Sequence, residues 1–201
     1  MKIVLFQPPA FVEKDAAYVR GIFESGGVIV FPSDTAYGLA ANPCNAAAVQ
    51  KIFDIKQRPI NADISCIFRN LEEARIWAEI NQDQEKILKS CLPGSYTFLL
   101  QATKMYPLSG KVGVRIPNSD LTRFLSSIFR SPYTATSANI SGRPSLYTAE
   151  DVVKEFENMN MRPDLILDAG PLMAGRISTV IDLTQDTPKI VRQGSGRFLA
   201  V

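Results

Sequence analysis

Short apolar runs bounded by glycine and proline alternate with helix-periodic stretches along the whole chain, and this alternation restricts the fold more than any other feature. Gly27-Val28-Ile29-Val30-Phe31, closed by Pro32, reads as a buried strand. Asn45 is placed to cap a helix that begins at Ala46, in which Val49, Ile52, Phe53 and Lys56 recur at helical spacing. The same reading predicts strands over Ile64–Phe68, Tyr96–Ala102, Val112–Ile116 and Tyr133–Ser137. It predicts helices over Leu71–Ile80, Asp83–Cys91, Leu121–Phe129 and Ala149–Glu157. Leu165–Asp168, Thr179–Leu183 and Lys189–Arg192 have no helical pattern between them and predict a more antiparallel edge. The expectation is an α/β or α+β domain around one mixed sheet.

With 201 residues, 46% of them hydrophobic, the chain can bury a real core, and we expect residues 1–201 to form a single domain. No apolar run reaches the ~18 residues of a membrane helix. The start, Met1-Lys2-Ile3-Val4-Leu5-Phe6-Gln7-Pro8, is too short in apolar residues for a signal-peptide core. A cytoplasmic protein with no membrane partner is expected. The chain has no histidine, which removes Ser-His-Asp and Cys-His sites and imidazole-ligated zinc. Acid–base work would need a shifted carboxylate, lysine or cysteine. Cys44, Cys66 and Cys91 form no close pair and read as reduced residues. A net charge of +2 leaves any anion site to local clustering.

Two glycine-bearing stretches fail as nucleotide motifs. Gly170-Pro171-Leu172-Met173-Ala174-Gly175-Arg176 has P-loop spacing, but Arg176 and Ile177 stand where lysine and a metal-binding hydroxyl belong. Gly194-Ser195-Gly196 lacks the third glycine of a dinucleotide fingerprint. Other segments carry more. Ser33-Asp34-Thr35-Ala36-Tyr37 places hydroxyls, a carboxylate and a phenol where a buried strand ends. Lys56 continues an apolar helical stripe, and Arg58 follows where Pro59 must end the helix; the pair is either a helix-dipole complement or an anion clamp. Ser137 and Asn139 share one face at a strand end, and Arg115 lies opposite Val112 and Val114, either on an exposed face or pointing inward.

Taken in order, Ser33–Leu39, Lys56-Gln57-Arg58-Pro59, Pro93-Gly94-Ser95-Tyr96-Thr97, Val112–Pro117, Ser137–Gly142, Ser178–Asp182 and Ile190-Val191-Arg192 resemble the YrdC-like family of threonylcarbamoyl-adenylate synthases, which includes a YciO branch. The resemblance implies a twisted mixed sheet flanked by helices, with a concave, positively charged groove. It implies a nucleotidyltransferase that makes threonylcarbamoyl-AMP and pyrophosphate from L-threonine, bicarbonate and ATP, with Mg²⁺ accompanying the triphosphate. The product would feed tRNA-modification machinery that builds threonylcarbamoyladenosine. By resemblance, Lys56 and Arg58 are catalytic; Lys56, Arg58, Asn139, Tyr147 and Arg192 face ATP; Thr35, Arg115, Ser137 and Ser178 hold threonine. The alternatives are a YciO-like enzyme making another adenylate, suggested by the altered segment Asn61–Ser65, and a non-catalytic RNA-binding module.

Overall fold

The computed structural model describes residues 1–7, 11, 13–59, 64–108, 110–174 and 177–198. Among them the elements run β1 (Lys2–Leu5), α1 (Glu13–Glu24), β2 (Ile29–Pro32), β3 (Tyr37–Ala40), α2 (Ala46–Lys56), β4 (Ser65–Ile67), α3 (Leu71–Trp77), α4 (Gln82–Cys91), β5 (Tyr96–Gln101), β6 (Lys111–Arg115), α5 (Asp120–Phe129), β7 (Tyr133–Thr134), β8 (Thr136–Ser137), α6 (Ala149–Phe156), β9 (Leu165–Asp168), β10 (Thr179–Asp182) and β11 (Lys189–Arg192). The mixed α/β class is as the sequence predicts, but the strands divide between two sheets instead of one. The first has the order β1-β9-β2-β3-β8 and the second β11-β10-β5-β6-β4-β7.

The first sheet is covered on both faces. In β2 and the residue before it, Val28 and Val30 pack with α2 and α6, while Ile29 and Phe31 pack with α1 and α5. Because neither face meets water, the strand is apolar at every position and shows no polar alternation. Helix α2 starts where expected: the Asn45 side chain accepts from the Ala48 amide and satisfies one of the open donors of the first turn.

In the second sheet, β5, β6 and β10 carry an apolar layer on one face. Phe98, Leu100, Val112, Val114 and Ile181 turn toward α3 and α4. Their neighbours in sequence, Thr97, Leu99, Arg115 and Val180, line a cavity on the opposite face. Period-two alternation therefore resolves the orientation of Arg115 that the sequence leaves open: it points inward, away from the apolar layer.

One short stretch joins the sheets. Tyr133 and Thr134 pair with β4 in the second sheet, and Thr136 and Ser137 pair with β3 in the first. Between them the Ala135 amide donates to the Ser65 carbonyl at 2.7 Å, and the Thr134 amide reaches the Ala41 carbonyl at 3.0 Å. The strand predicted over Tyr133–Ser137 is thus real but changes sheets at its middle.

Three further differences have local causes. Strand β1 is an edge strand with mostly exposed residues, so it lacks the apolar signature of a core strand. The segment after Ser33 is a tight turn followed by β3, which pairs antiparallel with β2. Gly38 interrupts the apolar pattern there because a Cβ would stand 2.8 Å from the Phe31 ring. Strand β9 runs parallel to both β1 and β2, so only β10–β11 supplies the antiparallel edge expected of the C-terminal strands.

Close approach at Gly113 holds β4 to β6, where a Cβ would lie 2.5 Å from Ser65 Oγ and 2.9 Å from Ser65 Cα. Gly113→Ala must push these strands apart and should cost about 2 kcal/mol, read as a lowered urea midpoint with an unchanged slope.

Candidate functional site

A cavity of ≈ 330 Å³ opens between the two sheets. The β2–β3 turn forms one wall, and the outer faces of β5, β6 and β10 form the floor. The crossing stretch Ala135–Ser137 and the end of β11 complete it. Six of the residues singled out from sequence line it: Thr35, Arg58, Arg115, Ser137, Ser178 and Arg192. Among the described residues its lining holds three arginines and no Asp or Glu.

At one end Arg115 is 8% exposed. One of its terminal nitrogens donates to Asp34 Oδ1 at 3.0 Å and lies 3.4 Å from Thr35 Oγ1. Its Nε is buried without a hydrogen-bond partner among the described residues. An unpaired donor on a buried cation is costly. Burial pushes the guanidinium below its ordinary pKa while Asp34 pulls it back, and an arginine remains charged throughout. Asp34 is held on its other oxygen by the Ser95 hydroxyl at 3.1 Å, so the carboxylate is a fixed counter-charge.

Hydroxyls surround this guanidinium. Ser33 Oγ accepts from the Thr35 and Ala36 amides, both at 3.2 Å, and thereby builds the turn that presents Thr35. Thr97 Oγ1 donates to Ser178 Oγ at 3.0 Å. Arg192 donates to the Ser178 carbonyl at 2.9 Å and to its hydroxyl at 3.0 Å, which fixes Arg192 against the cavity although it sits on an edge strand. The sequence reading counts Ser33 among the hydroxyls of this turn, whereas it gives Thr97 no individual role. The alternation of Thr97 with Phe98 and Leu100 is the signal that could have found the second.

Lys56 and Asn139 lie behind the wall, outside the cavity lining. Lys56 is 4% exposed, and its ammonium donates to the Ser137 carbonyl at 2.7 Å, the Asn139 carbonyl at 3.0 Å and Asn139 Oδ1 at 3.4 Å. Its place on the inner stripe of α2 brings this about: the stem follows Val49, Ile52 and Phe53 inward, and the head meets carbonyls. Burial and, less strongly, nearby Arg58 push its pKa down while Glu155 opposes both, which leaves it at about 8. The Asn139 amide donates to the Ile140 and Arg143 carbonyls at 3.0 and 2.6 Å. Tyr147 also stands outside the lining, where its carbonyl accepts from the Leu172 amide.

Arg58 reaches the cavity through the end of α2. Gln57 takes a left-handed conformation, φ 50°, and the Arg58 amide returns to the Phe53 carbonyl at 3.0 Å. That turn breaks the helix axis one residue after Lys56, so the two cations point to different sides of one wall. Asn61–Asp63 and the Gly175-Arg176 pair fall outside the described residues. All three cysteines are free thiols.

Lys56 also sets a pH dependence. A lysine whose folded pKa is depressed costs stability while it is charged, so stability rises as pH climbs from about 8 toward its ordinary value of 10.5. The gain between pH 8 and 9 should be about 1 kcal/mol. Urea denaturation at the two pH values should show it as the difference between the native chain and Lys56→Gln, because the buried Cys66 thiol, pushed up to about 12, lowers stability over the same range in both.

Comparison with known proteins matches this architecture. The family that groups Sua5, YciO and YrdC proteins, described as "Telomere recombination", matches residues 21–194. A putative threonylcarbamoyl-AMP synthase of Methanocaldococcus jannaschii is 33% identical over 85% of this chain and 81% of its own length. The threonylcarbamoyl-AMP synthase of Pyrococcus abyssi is 34% identical over 87% of this chain, which spans 52% of that relative. The crystal structure of P. abyssi Sua5 complexed with L-threonine superposes with a TM-score of 0.87 at 31% identity, covering 96% of this chain and 58% of the other. Escherichia coli YciO superposes with a TM-score of 0.86 at 28% identity, covering 98% and 96%. Across most of its length, then, this chain belongs to the Sua5, YciO and YrdC family.

Proposed function

We propose that this protein is an L-threonylcarbamoyladenylate synthase, a nucleotidyltransferase acting on L-threonine, bicarbonate and ATP. The observation that carries the reading is Arg115: a buried guanidinium with an unpartnered Nε, set among hydroxyls at the end of the cavity. It has the charge and donor geometry for the carboxylate of an amino acid. Thr35, Ser137 and Ser178 add hydroxyls to the same lining. The relative from P. abyssi whose fold this chain shares is described in complex with L-threonine.

In this reading the amine of threonine combines with bicarbonate to give a carbamate and water. A carbamate oxygen then attacks the α-phosphorus of ATP, and the bond to the β-phosphate breaks to release pyrophosphate. Such a step requires alignment and neutralisation of phosphate charge more than a protein nucleophile, which agrees with a chain that has no histidine. Arg58 and Arg192, both on the cavity, supply that charge to the triphosphate. Lys56 and Asn139 contribute by holding the wall that bears Ser137.

Mg²⁺ would travel with the triphosphate. Among the described residues no cluster of three or more metal-binding side chains occurs, and Asp34 is committed to Arg115 and Ser95. These residues do not form a metal site. The product, an activated carbamoyl adenylate, would serve threonylcarbamoyladenosine modification of tRNA. One domain over residues 1–201 accords with a family match that runs from residue 21 to 194. A cytoplasmic location accords with the lack of any helix, among the described residues, long and apolar enough to cross a membrane.

A second reading, an adenylate-forming enzyme with another amino acid as substrate, is favoured by the near full-length match to YciO. Pyrophosphate release separates the two: the synthase requires both threonine and bicarbonate, whereas release that persists when another amino acid replaces threonine supports the second. Arg115→Lys keeps the charge beside Asp34 but loses the guanidinium fork. It should raise the KM for threonine about 10- to 100-fold while the melting temperature changes little. Arg58→Ala should lower kcat by about 100-fold or more, measured under saturating ATP and threonine.

A further inference from the structure

The wall that carries Ser137 turns at Asn139 into a loop that ends at Arg143, and a residue outside every motif stretch holds it. On α6, Glu155 Oε1 accepts from the Ile140 amide at 2.9 Å, and Oε2 meets the Arg143 guanidinium at 3.1 Å. Its side chain is 11% exposed, whereas that of Arg143 is 59% exposed. From the opposite side, Lys56 grips the same loop twice. Its ammonium takes the carbonyls of Ser137 and Asn139, and its own carbonyl accepts from the Ser141 amide at 3.0 Å. The charged groups that bear on Lys56 are Arg58, just beyond its helix, and Glu155 across the loop. Arg143 adds a third, tied to Glu155 itself.

The ammonium of Lys56 has carbonyl and amide oxygens around it and, among the described residues, no carboxylate bonded to it. A buried cation so placed is costly, and a carboxylate nearby offsets part of the cost. We propose that Glu155 is a positioning residue: it closes the loop from Ser137 to Arg143 over the Lys56 ammonium and so fixes the Ser137 wall of the cavity. The consequence for turnover rests on the synthase reading; the closure of the loop does not.

Two measurements test this. At pH 7, Glu155→Gln keeps the shape and an oxygen for the Ile140 amide but loses the charge. It should lower threonine-dependent pyrophosphate release about 3- to 30-fold. Arg143→Ala removes the exposed partner and keeps the carboxylate, and its rate should stay within about 2-fold of the native chain. A folded Glu155→Gln protein with the native rate overturns the proposal, and so does Arg143→Ala if it reproduces the loss.

The second measurement is amide exchange at Ile140 and Ser141, corrected for the intrinsic rate. Opening the loop returns Lys56 to water and toward its ordinary pKa, so raising the pH favours the closed form. Protection at both amides in the native chain should rise above pH 8, by up to about tenfold per pH unit, while α5 amides stay level. In Glu155→Gln, protection should be lower at pH 7 and approach the native level at pH 9. Loss of a hydrogen bond alone would give a deficit equal at every pH. Native protection that ignores pH overturns the proposal, and this result stands even if Glu155→Gln does not fold. Should the protein release no pyrophosphate with threonine and bicarbonate, the synthase reading fails and the exchange data still decide the role of Glu155.

Discussion

The pairing of Arg115 with Asp34 is the contact on which the site depends. Arg115 stands on β6 in the second sheet and Asp34 on the β2–β3 turn of the first, so one ion pair of 3.0 Å ties the floor of the cavity to its wall. Taking both charges out of water is expensive, and their mutual attraction repays this only when the remaining polar atoms are satisfied. Asp34 is satisfied, through Ser95. Arg115 is not, because its Nε has no partner. Among the described residues the fold thus keeps a cation neutralised overall but short of one acceptor.

The other end of the cavity is organised on a different principle. Lys56 and Arg58 are two residues apart in sequence, yet the left-handed turn at Gln57 sends them to opposite sides of the wall. Arg58 faces the cavity, and Lys56 is spent on backbone carbonyls. A cation can serve a site without touching what it binds, by fixing the strand that does. Glu155 extends the same logic one layer further out.

Much of this was legible in the amino-acid pattern. The Asn45 cap, the inward stripe through Lys56 and the alternation along β5 and β6 all follow from local periodicity, and the structure has them. Strand β1 was not legible, because an exposed edge strand lacks the apolar bias that marks a core strand. The second sheet was not legible either, since a change of sheet within Tyr133–Ser137 leaves no trace in the composition of so short a run. Within the site, motif residues marked the cavity lining well at Thr35, Arg58, Arg115, Ser137, Ser178 and Arg192. Local pattern could not tell that Lys56 turns to carbonyls instead of to the cavity, because the carbonyls belong to a segment far away in sequence.

The stretch shared by the two sheets has a geometric consequence. Backbone hydrogen bonds fasten one end of Tyr133–Ser137 to β4 and the other to β3, and an extended chain spans only about 3.3 Å per residue. The gap between the sheets is therefore limited by covalent bonds as well as by the Arg115–Asp34 pair. Substitutions among the other lining side chains leave this backbone tie between the sheets in place.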